Sequence, residues 1–314
     1  MQSLALIGGS GFISKSIIEY IDRKQGSNLK IKKIYLYQRR KFFFKTKNIK
    51  LKFVNKDFLN VNNFYEIDYV IFGIKCGSIK RAESIYKHFE KKILSLKKKP
   101  KVIYISSGAV YGPISKNIRI SETKIIKINL INKFKNYKKN YAKEKIFLEN
   151  KFLNLRAKKI KISIIRGFTF VGKYSPLNSI YLIGNFIKNI IQKKKLILNS
   201  NIRTIRSYMY TDDLVRCIIK IFRSKYSDGE IYNVGSDNKI DINYLGIKLS
   251  KKFELKLEKK QINLNKTDYY VPVIKKIREK LKFKLEKNSY EAVIKTIKIL
   301  KKSTQIRSTR VKKF

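Results

Sequence analysis

The chain has 314 residues, long enough for a large α/β domain and a smaller second one, and carries a net charge of +52 from 74 Lys+Arg against 22 Asp+Glu. Such a balance points to nucleic acid or an anionic membrane when it is gathered on one face. Here the lysines run through nearly every segment, with abundant Ile, Asn, Tyr and Phe and no Trp, which reads as drift towards a limited residue set. Two cysteines without motif spacing, a single histidine and no apolar run near the ~20 residues that span a bilayer exclude a disulfide framework, a zinc centre and a membrane helix.

Ser3–Ile7 is a short apolar run that fits a buried strand, and it enters GGSGFIS directly, leaving no room for a signal peptide. Helical periodicity follows over 12–23. Strand, glycine-rich turn and helix are the context in which a dinucleotide fingerprint has meaning. Gly8 permits the tight turn, and Gly11 lets a pyrophosphate approach the backbone at a helix N-terminus that offers free N–H groups. Ser14 stands where a third glycine is usual. Further strands are expected at Ile31–Tyr37, Leu51–Val54, Tyr69–Gly73, Lys101–Ser106 and Ile160–Arg166, with helices near 78–97 and 136–158. This alternation predicts an α/β fold with a doubly wound parallel sheet of the Rossmann type, its ligands beyond the carboxyl ends of the strands. Residues 1–166 form the dinucleotide-binding domain in this reading. Residues 167–300 form a smaller α/β substrate domain with segments returning to the first, and 301–314 a frayed basic tail. Cys76 and Cys217 read as reduced core thiols, and His88 as a surface residue.

Tyr141 and Lys145 lie four residues apart in NYAKEK, so on a helix they share a face. A phenol titrates near ~10 and is a poor base at neutral pH; a cation beside it favours the phenolate and lowers that value. Ser107, the second serine of YISSGAVYG, lies just past a strand end and can bond the same substrate oxygen, whereas Ser106 reads as structural. Ser107, Tyr141 and Lys145 together can move a proton on or off a sugar or alcohol hydroxyl while a hydride leaves the same carbon.

With GGSGFIS, SSGAVYG and YAKEK in that order, the chain resembles the extended short-chain dehydrogenases/reductases, of the nucleotide-sugar epimerase/dehydratase group. RGFTFVG (166–172), RSYMYTDDL (206–214) and IYNVGS (231–236) are similar to further segments of that family. The resemblance implies a nicotinamide cofactor, NAD or NADP, held by Gly8, Gly11, Phe12, Ile13, Asp57, Phe58, Gly73, Tyr141 and Lys145. It implies a nucleotide-sugar substrate held by Ser107, Thr169 and Arg206, the arginine gripping the pyrophosphate. Glu122 resembles a position in the substrate loop. A homodimer in the cytoplasm, without a membrane span or a specific nucleic-acid partner, is expected. The chain departs from the pattern at several places. The second strand ends YLYQRRK without the acid that usually bonds the adenine ribose, so Arg39 and Arg40 can meet a 2′-phosphate instead. Lys75 follows Gly73 and Ile74 where small residues are usual, and the segment after it is short. Gly108 and Ala109 replace the acidic pair of 4,6-dehydratases, which counts against dehydration.

These features lead to a nucleotide-diphosphate-sugar epimerase working through a 4-keto intermediate. A 4-ketoreductase that consumes reduced cofactor is the alternative within the same chemistry. A basic RNA-binding relative that has lost catalysis is the alternative of another class, and the intact Ser107–Tyr141–Lys145 set argues against it.

Overall fold

The computed structural model describes residues 2–23, 30–39, 42–62, 64–114, 118–177 and 181–311. In the first half of the chain, β1 (Gln2–Ile7), α1 (Phe12–Arg23), β2 (Ile31–Tyr37), β3 (Lys50–Val54), β4 (Tyr69–Phe72), α2 (Ile79–Ser95), β5 (Lys101–Ser107), α3 (Ile128–Asn132), α4 (Asn136–Asn154) and β6 (Lys161–Gly167) follow one another. The strands fall where the apolar runs place them. The second half adds β7 (Phe170–Val171), α5 (Leu182–Ile191), β8 (Leu196–Leu198), β9 (Ile202–Arg206), β10 (Met209–Tyr210), α6 (Thr211–Arg223) and β11 (Ile231–Val234). It ends with β12 (Ile240–Asp241), α7 (Ile242–Phe253), β13 (Leu257–Lys259), β14 (Asn263–Tyr270), α8 (Lys275–Leu281) and α9 (Ser289–Val311).

The central sheet has seven strands in the order β11-β6-β5-β4-β1-β2-β3, and every neighbouring pair is parallel. Side chains alternate across a strand, and both faces here are covered. Leu4 and Leu6 pack with Ile17 and Ile18 of α1 and with Leu214 and Phe222 of α6. Ala5 and Ile7 pack on the other face with Phe89 of α2 and Phe152 of α4. Burial on two sides is why these strands read as unbroken apolar runs. Phe152 is fully buried and stacks on Tyr104 with ring centroids 4.6 Å apart; burying a side chain of this size contributes about 1.5–3 kcal/mol. From β1 the strand order runs outwards to β2 on one side and to β4 on the other, so a crevice opens at their carboxyl ends.

After β10, α6 returns the chain to the sheet, where β11 pairs with β6. α8 packs on the same sheet through Ile277 and Leu281, and most of the remaining late elements make a separate small layer. In it β9 lies between β12 and β14, β8 pairs with β13, and Ile183, Phe186, Leu245 and Val293 form a core of their own. Residues 301–311, expected as a frayed tail, continue the backbone of α9 to Val311.

His88 is half-buried and not a surface residue. Its Nε2 lies 3.0 Å from the Val61 carbonyl, and its ring meets the Phe58 ring edge-on at 5.6 Å. Cys76 and Cys217 are both free and buried, as expected for core thiols. Burial, helped by the nearby Glu144 carboxylate, pushes the Cys76 thiol up to about 12. No helix among the described residues is long and apolar enough to cross a membrane.

Candidate active site

β1 ends at Ile7 and the chain turns at once on Gly8, whose φ of 97° is rarely adopted by a residue with a side chain. A Cβ at Gly8 would stand 3.1 Å from the Gly73 carbonyl, so the ends of β1 and β4 meet backbone to backbone. The Gly73 N–H donates to the Ile7 carbonyl at 2.8 Å, and the Gly11 N–H closes the turn on the Gly8 carbonyl at 3.1 Å. α1 begins at Phe12, so the N–H groups of Phe12 and Ile13 lie in a first helical turn that has no intrahelical acceptor for them. Ser14 is buried, and its hydroxyl donates to the Gly8 carbonyl at 3.2 Å, bracing the turn where a glycine would leave it free.

Gly8, Gly11, Arg39, Asp57, Phe58 and Gly73 line one groove at these strand ends. Arg40 lies outside the described residues. Asp57 accepts the Leu59 N–H at 3.2 Å and is ion-paired with Arg81. Burial raises the Asp57 carboxyl, but the Leu59 N–H and the Arg81 guanidinium outweigh it and hold the group below its ordinary value. Gln38, Lys56 and Lys75 line the same groove. Gln38 is 4 % exposed, and its amide Nε2 donates to Asn55 Oδ1 at 3.0 Å. Its Oε1 is buried without a hydrogen-bond partner among the described residues. An acceptor left this way costs about 1–3 kcal/mol, and a ribose hydroxyl is a donor suited to it. The glycine cradle and this orphaned acceptor together fit a dinucleotide.

Ser107 ends β5, and its Oγ accepts the Ala109 N–H at 3.2 Å. The Tyr141 and Tyr270 phenols both face this hydroxyl, so strand end, α4 and β14 converge there. Tyr141 and Lys145 share one face of α4, with the ammonium 5.6 Å from the phenol ring centre. Lys145 is buried, and its Nζ donates to the Ile105 carbonyl at 3.0 Å. Burial lowers the Lys145 ammonium below its ordinary value, with the Glu144 carboxylate working the other way. The expected depression of the tyrosine is corrected here. Burial raises the Tyr141 phenol above its ordinary value, against the hydrogen bond to Ser107, while the Glu144 carboxylate pushes it further up.

A family model described as the NAD dependent epimerase/dehydratase family matches residues 4–235. The chain belongs to this family. No curated protein matches it by sequence. Among solved structures it is similar to a dTDP-glucose 4,6-dehydratase of Streptomyces venezuelae with NAD and TYD bound, at TM-score 0.78 and 17% identity over 96% of this chain and 97% of that one. A dTDP-glucose 4,6-dehydratase of Bacillus anthracis in complex with NAD superposes at TM-score 0.77 with 16% identity, covering 97% and 98% of the two chains. A UDP-glucose 4-epimerase of Thermotoga maritima with UDP-glucose gives TM-score 0.75 and 16% identity, over 96% and 100%. At these identities the likeness is one of fold.

In this family member the site has further residues that the motifs did not announce. Tyr270 comes from β14, in TDYYVP, a segment with no motif of its own. Glu144 is buried and accepts the N–H groups of Cys76 at 3.1 Å and Gly77 at 2.8 Å, which staples the loop after β4 to α4. Glu149 is buried, accepts the Ser106 hydroxyl at 2.5 Å and pairs with Arg166 at 2.7 Å, while Arg166 Nη1 donates to Tyr111 at 2.9 Å. Ser106 is thus a structural residue here, its hydroxyl turned into that ion pair. At Gly108 a Cβ would come within 2.7 Å of the Tyr270 hydroxyl and 2.8 Å of the Phe168 ring, so a side chain there would have to displace those rings.

The substrate candidates lie on the far side of Ser107. Gly167 is the register partner of Ser107, which puts Thr169 two positions beyond it, half-buried, with its carbonyl accepting the Met209 N–H at 3.0 Å. Arg206 pairs in register with Tyr270, and its guanidinium is ion-paired with Asp268 and donates to the Ile205 carbonyl at 2.9 Å. Its fork is therefore already engaged within the protein. Glu122 accepts the Asn233 N–H at 2.8 Å and so ties its loop to β11.

Proposed function

We propose that the chain is a nucleotide-diphosphate-sugar epimerase acting at the sugar 4-position through a 4-keto intermediate. The observation that carries this reading is the convergence of Ser107, Tyr141 and Lys145 at the end of β5, next to a groove shaped for a dinucleotide. A bound nicotinamide nucleotide supplies the acceptor and donor of hydride at the sugar carbon. Tyr141 as phenolate takes the hydroxyl proton as the ketone forms, and the resulting phenol returns it on re-reduction. Ser107 holds the sugar oxygen, and Lys145 stabilises the Tyr141 phenolate that accepts the proton. Gly108 and Ala109 carry no acid, and a side chain at Gly108 would have to displace the Tyr270 and Phe168 rings, which supports epimerisation over dehydration. Thr169 and Arg206 are assigned to the nucleotide end of the substrate.

A second reading is a 4-ketoreductase. Neutral Gln38 and basic Arg39 on the groove rim favour a cofactor with a 2′-phosphate, and NADP(H) suits an exchangeable reductant. A recycled cofactor marks the epimerase and net cofactor oxidation marks the reductase.

Tyr141→Phe keeps the ring and removes the proton-transfer group. Turnover of the nucleotide-sugar substrate is expected to fall ~10²–10⁴-fold, with nucleotide affinity unchanged by calorimetry. Near-normal turnover in this variant would sink the assignment.

A further inference from the structure

Lys75 lies in the loop after β4, at a position where the resembling family carries a small residue, and it lines the dinucleotide groove. The loop is fixed at both ends. The Gly73 N–H is bound to the Ile7 carbonyl, and the Cys76 and Gly77 N–H groups are bound to the Glu144 carboxylate. Between these anchors the Lys75 ammonium reaches across to α4. Its Nζ is 3.3 Å from the Tyr137 hydroxyl, 4.4 Å from the Tyr137 ring centre and 5.8 Å from the Tyr141 ring centre. That last distance nearly equals the 5.6 Å between Lys145 and the same ring. No carboxylate among the described residues lies within ion-pair distance of Lys75.

The groups facing Tyr141 come from every neighbouring element. Tyr104 and Ser107 come from β5, Tyr137, Glu144 and Lys145 from α4, Tyr181 from the start of α5, and Tyr270 from β14. Lys75 and Lys145 are the cations of this set, and Glu144 is its carboxylate. Lys145 spends part of its charge on the Ile105 carbonyl, whereas among the described residues Lys75 donates to the Tyr137 hydroxyl and to no backbone carbonyl.

We propose that Lys75 is a positioning residue of the proton-transfer site, its ammonium stabilising the Tyr141 phenolate from the cofactor side while Lys145 does so from within α4. This rests on the reading of Tyr141 as the group that moves the proton. It answers a deficit in the site: burial and Glu144 both oppose ionisation of the phenol, and Lys75 works against them. Water screens an exposed ammonium, and that screening weakens once cofactor and substrate fill the groove.

The test uses Lys75→Met and Lys75→Arg, each with Tyr141 intact and with Tyr141→Phe. Ultraviolet titration of tyrosinate, with NAD(H) bound and no sugar present, isolates one phenol as the signal lost in the Tyr141→Phe background. Lys75→Met is expected to raise that midpoint by about one unit, and Lys75→Arg to keep it near the wild-type value. In turnover assays the rising limb of the pH profile moves to higher pH by the same amount in Lys75→Met and is restored by Lys75→Arg. A midpoint that does not move in Lys75→Met overturns the proposal. So does an unmoved midpoint with weakened cofactor binding, which would make Lys75 a phosphate ligand. If no nucleotide sugar is turned over but the midpoint still moves, the coupling of Lys75 to Tyr141 stands and the proposed reaction fails.

Discussion

Gln38 bears on which adenosine ribose the groove accepts. An acid at this strand end would bond the ribose hydroxyls and repel a 2′-phosphate; a neutral amide with a free Oε1 can accept from a hydroxyl but carries no charge to repel a phosphate. Arg39 and Lys56 share the rim, and neither has a carboxylate within ion-pair distance among the described residues. NADP(H) is therefore expected to bind at least as tightly as NAD(H). Gln38→Glu should weaken NADP(H) by about tenfold or more while sparing NAD(H). Titration of both cofactors against wild type and variant checks this, and a wild-type preference for NAD(H) contradicts it. The missing acid was legible in YLYQRRK, because a single position carries it. Two other residue readings were incomplete for a physical reason. Asp57 and Arg206 were read for what they offer a ligand, whereas folding gives each an internal partner, Arg81 and Asp268. Those partners lie far away in sequence, so no local pattern announces them. For Tyr141 the partners Ser107 and Lys145 were legible, but its burial and the approach of Glu144 and Lys75 were not.

At the scale of elements, the strands and long helices were legible because burial on two faces gives continuous apolar runs and burial on one gives helical periodicity. α4 is harder to read, since its inner face carries Glu144, Lys145 and Glu149 beside Leu148 and Phe152. Charges on a buried face mark a site or a structural ion pair, and sequence alone does not separate them. The Glu149–Arg166 pair ties α4 to β6 through Ser106 and Tyr111, with both partners nearly without exposure. Removing one partner of such a pair leaves an uncompensated charge, and Glu149→Ala is expected to lose about 3–5 kcal/mol in denaturant unfolding. A loss under about 1 kcal/mol would mean the pair is solvated in solution. The pairing of β9 with β14 sets Arg206 beside Tyr270, and Arg206 does not line the cofactor groove. Arg206→Ala should therefore weaken nucleotide-sugar binding by about tenfold and leave cofactor binding unchanged. Calorimetry showing equal losses for both ligands would make Arg206 a structural partner of Asp268 alone.

Across the whole molecule, the net charge of +52 is the feature that sequence reading weighs with most difficulty. It collects anions of every kind, and it would suit an RNA-binding protein as well as an enzyme whose substrate and cofactor both carry pyrophosphates. Salt separates these uses. Contacts with a polyanion release many counterions and weaken steeply as salt rises, whereas catalysis on a small nucleotide sugar falls only modestly. The central claim is that this member of the NAD dependent epimerase/dehydratase family converts a nucleotide sugar at C4 with Tyr141 moving the proton. The most direct measurement is incubation of the purified protein with UDP-, dTDP-, GDP- and CDP-sugars and each cofactor, with product sugars resolved and cofactor absorbance followed, in wild type and Tyr141→Phe. The account predicts a C4-epimerised or C4-reduced product from at least one sugar, lost in the variant. A dehydrated 4-keto-6-deoxy product, or no product from any sugar alongside tight, salt-sensitive RNA binding, would contradict it.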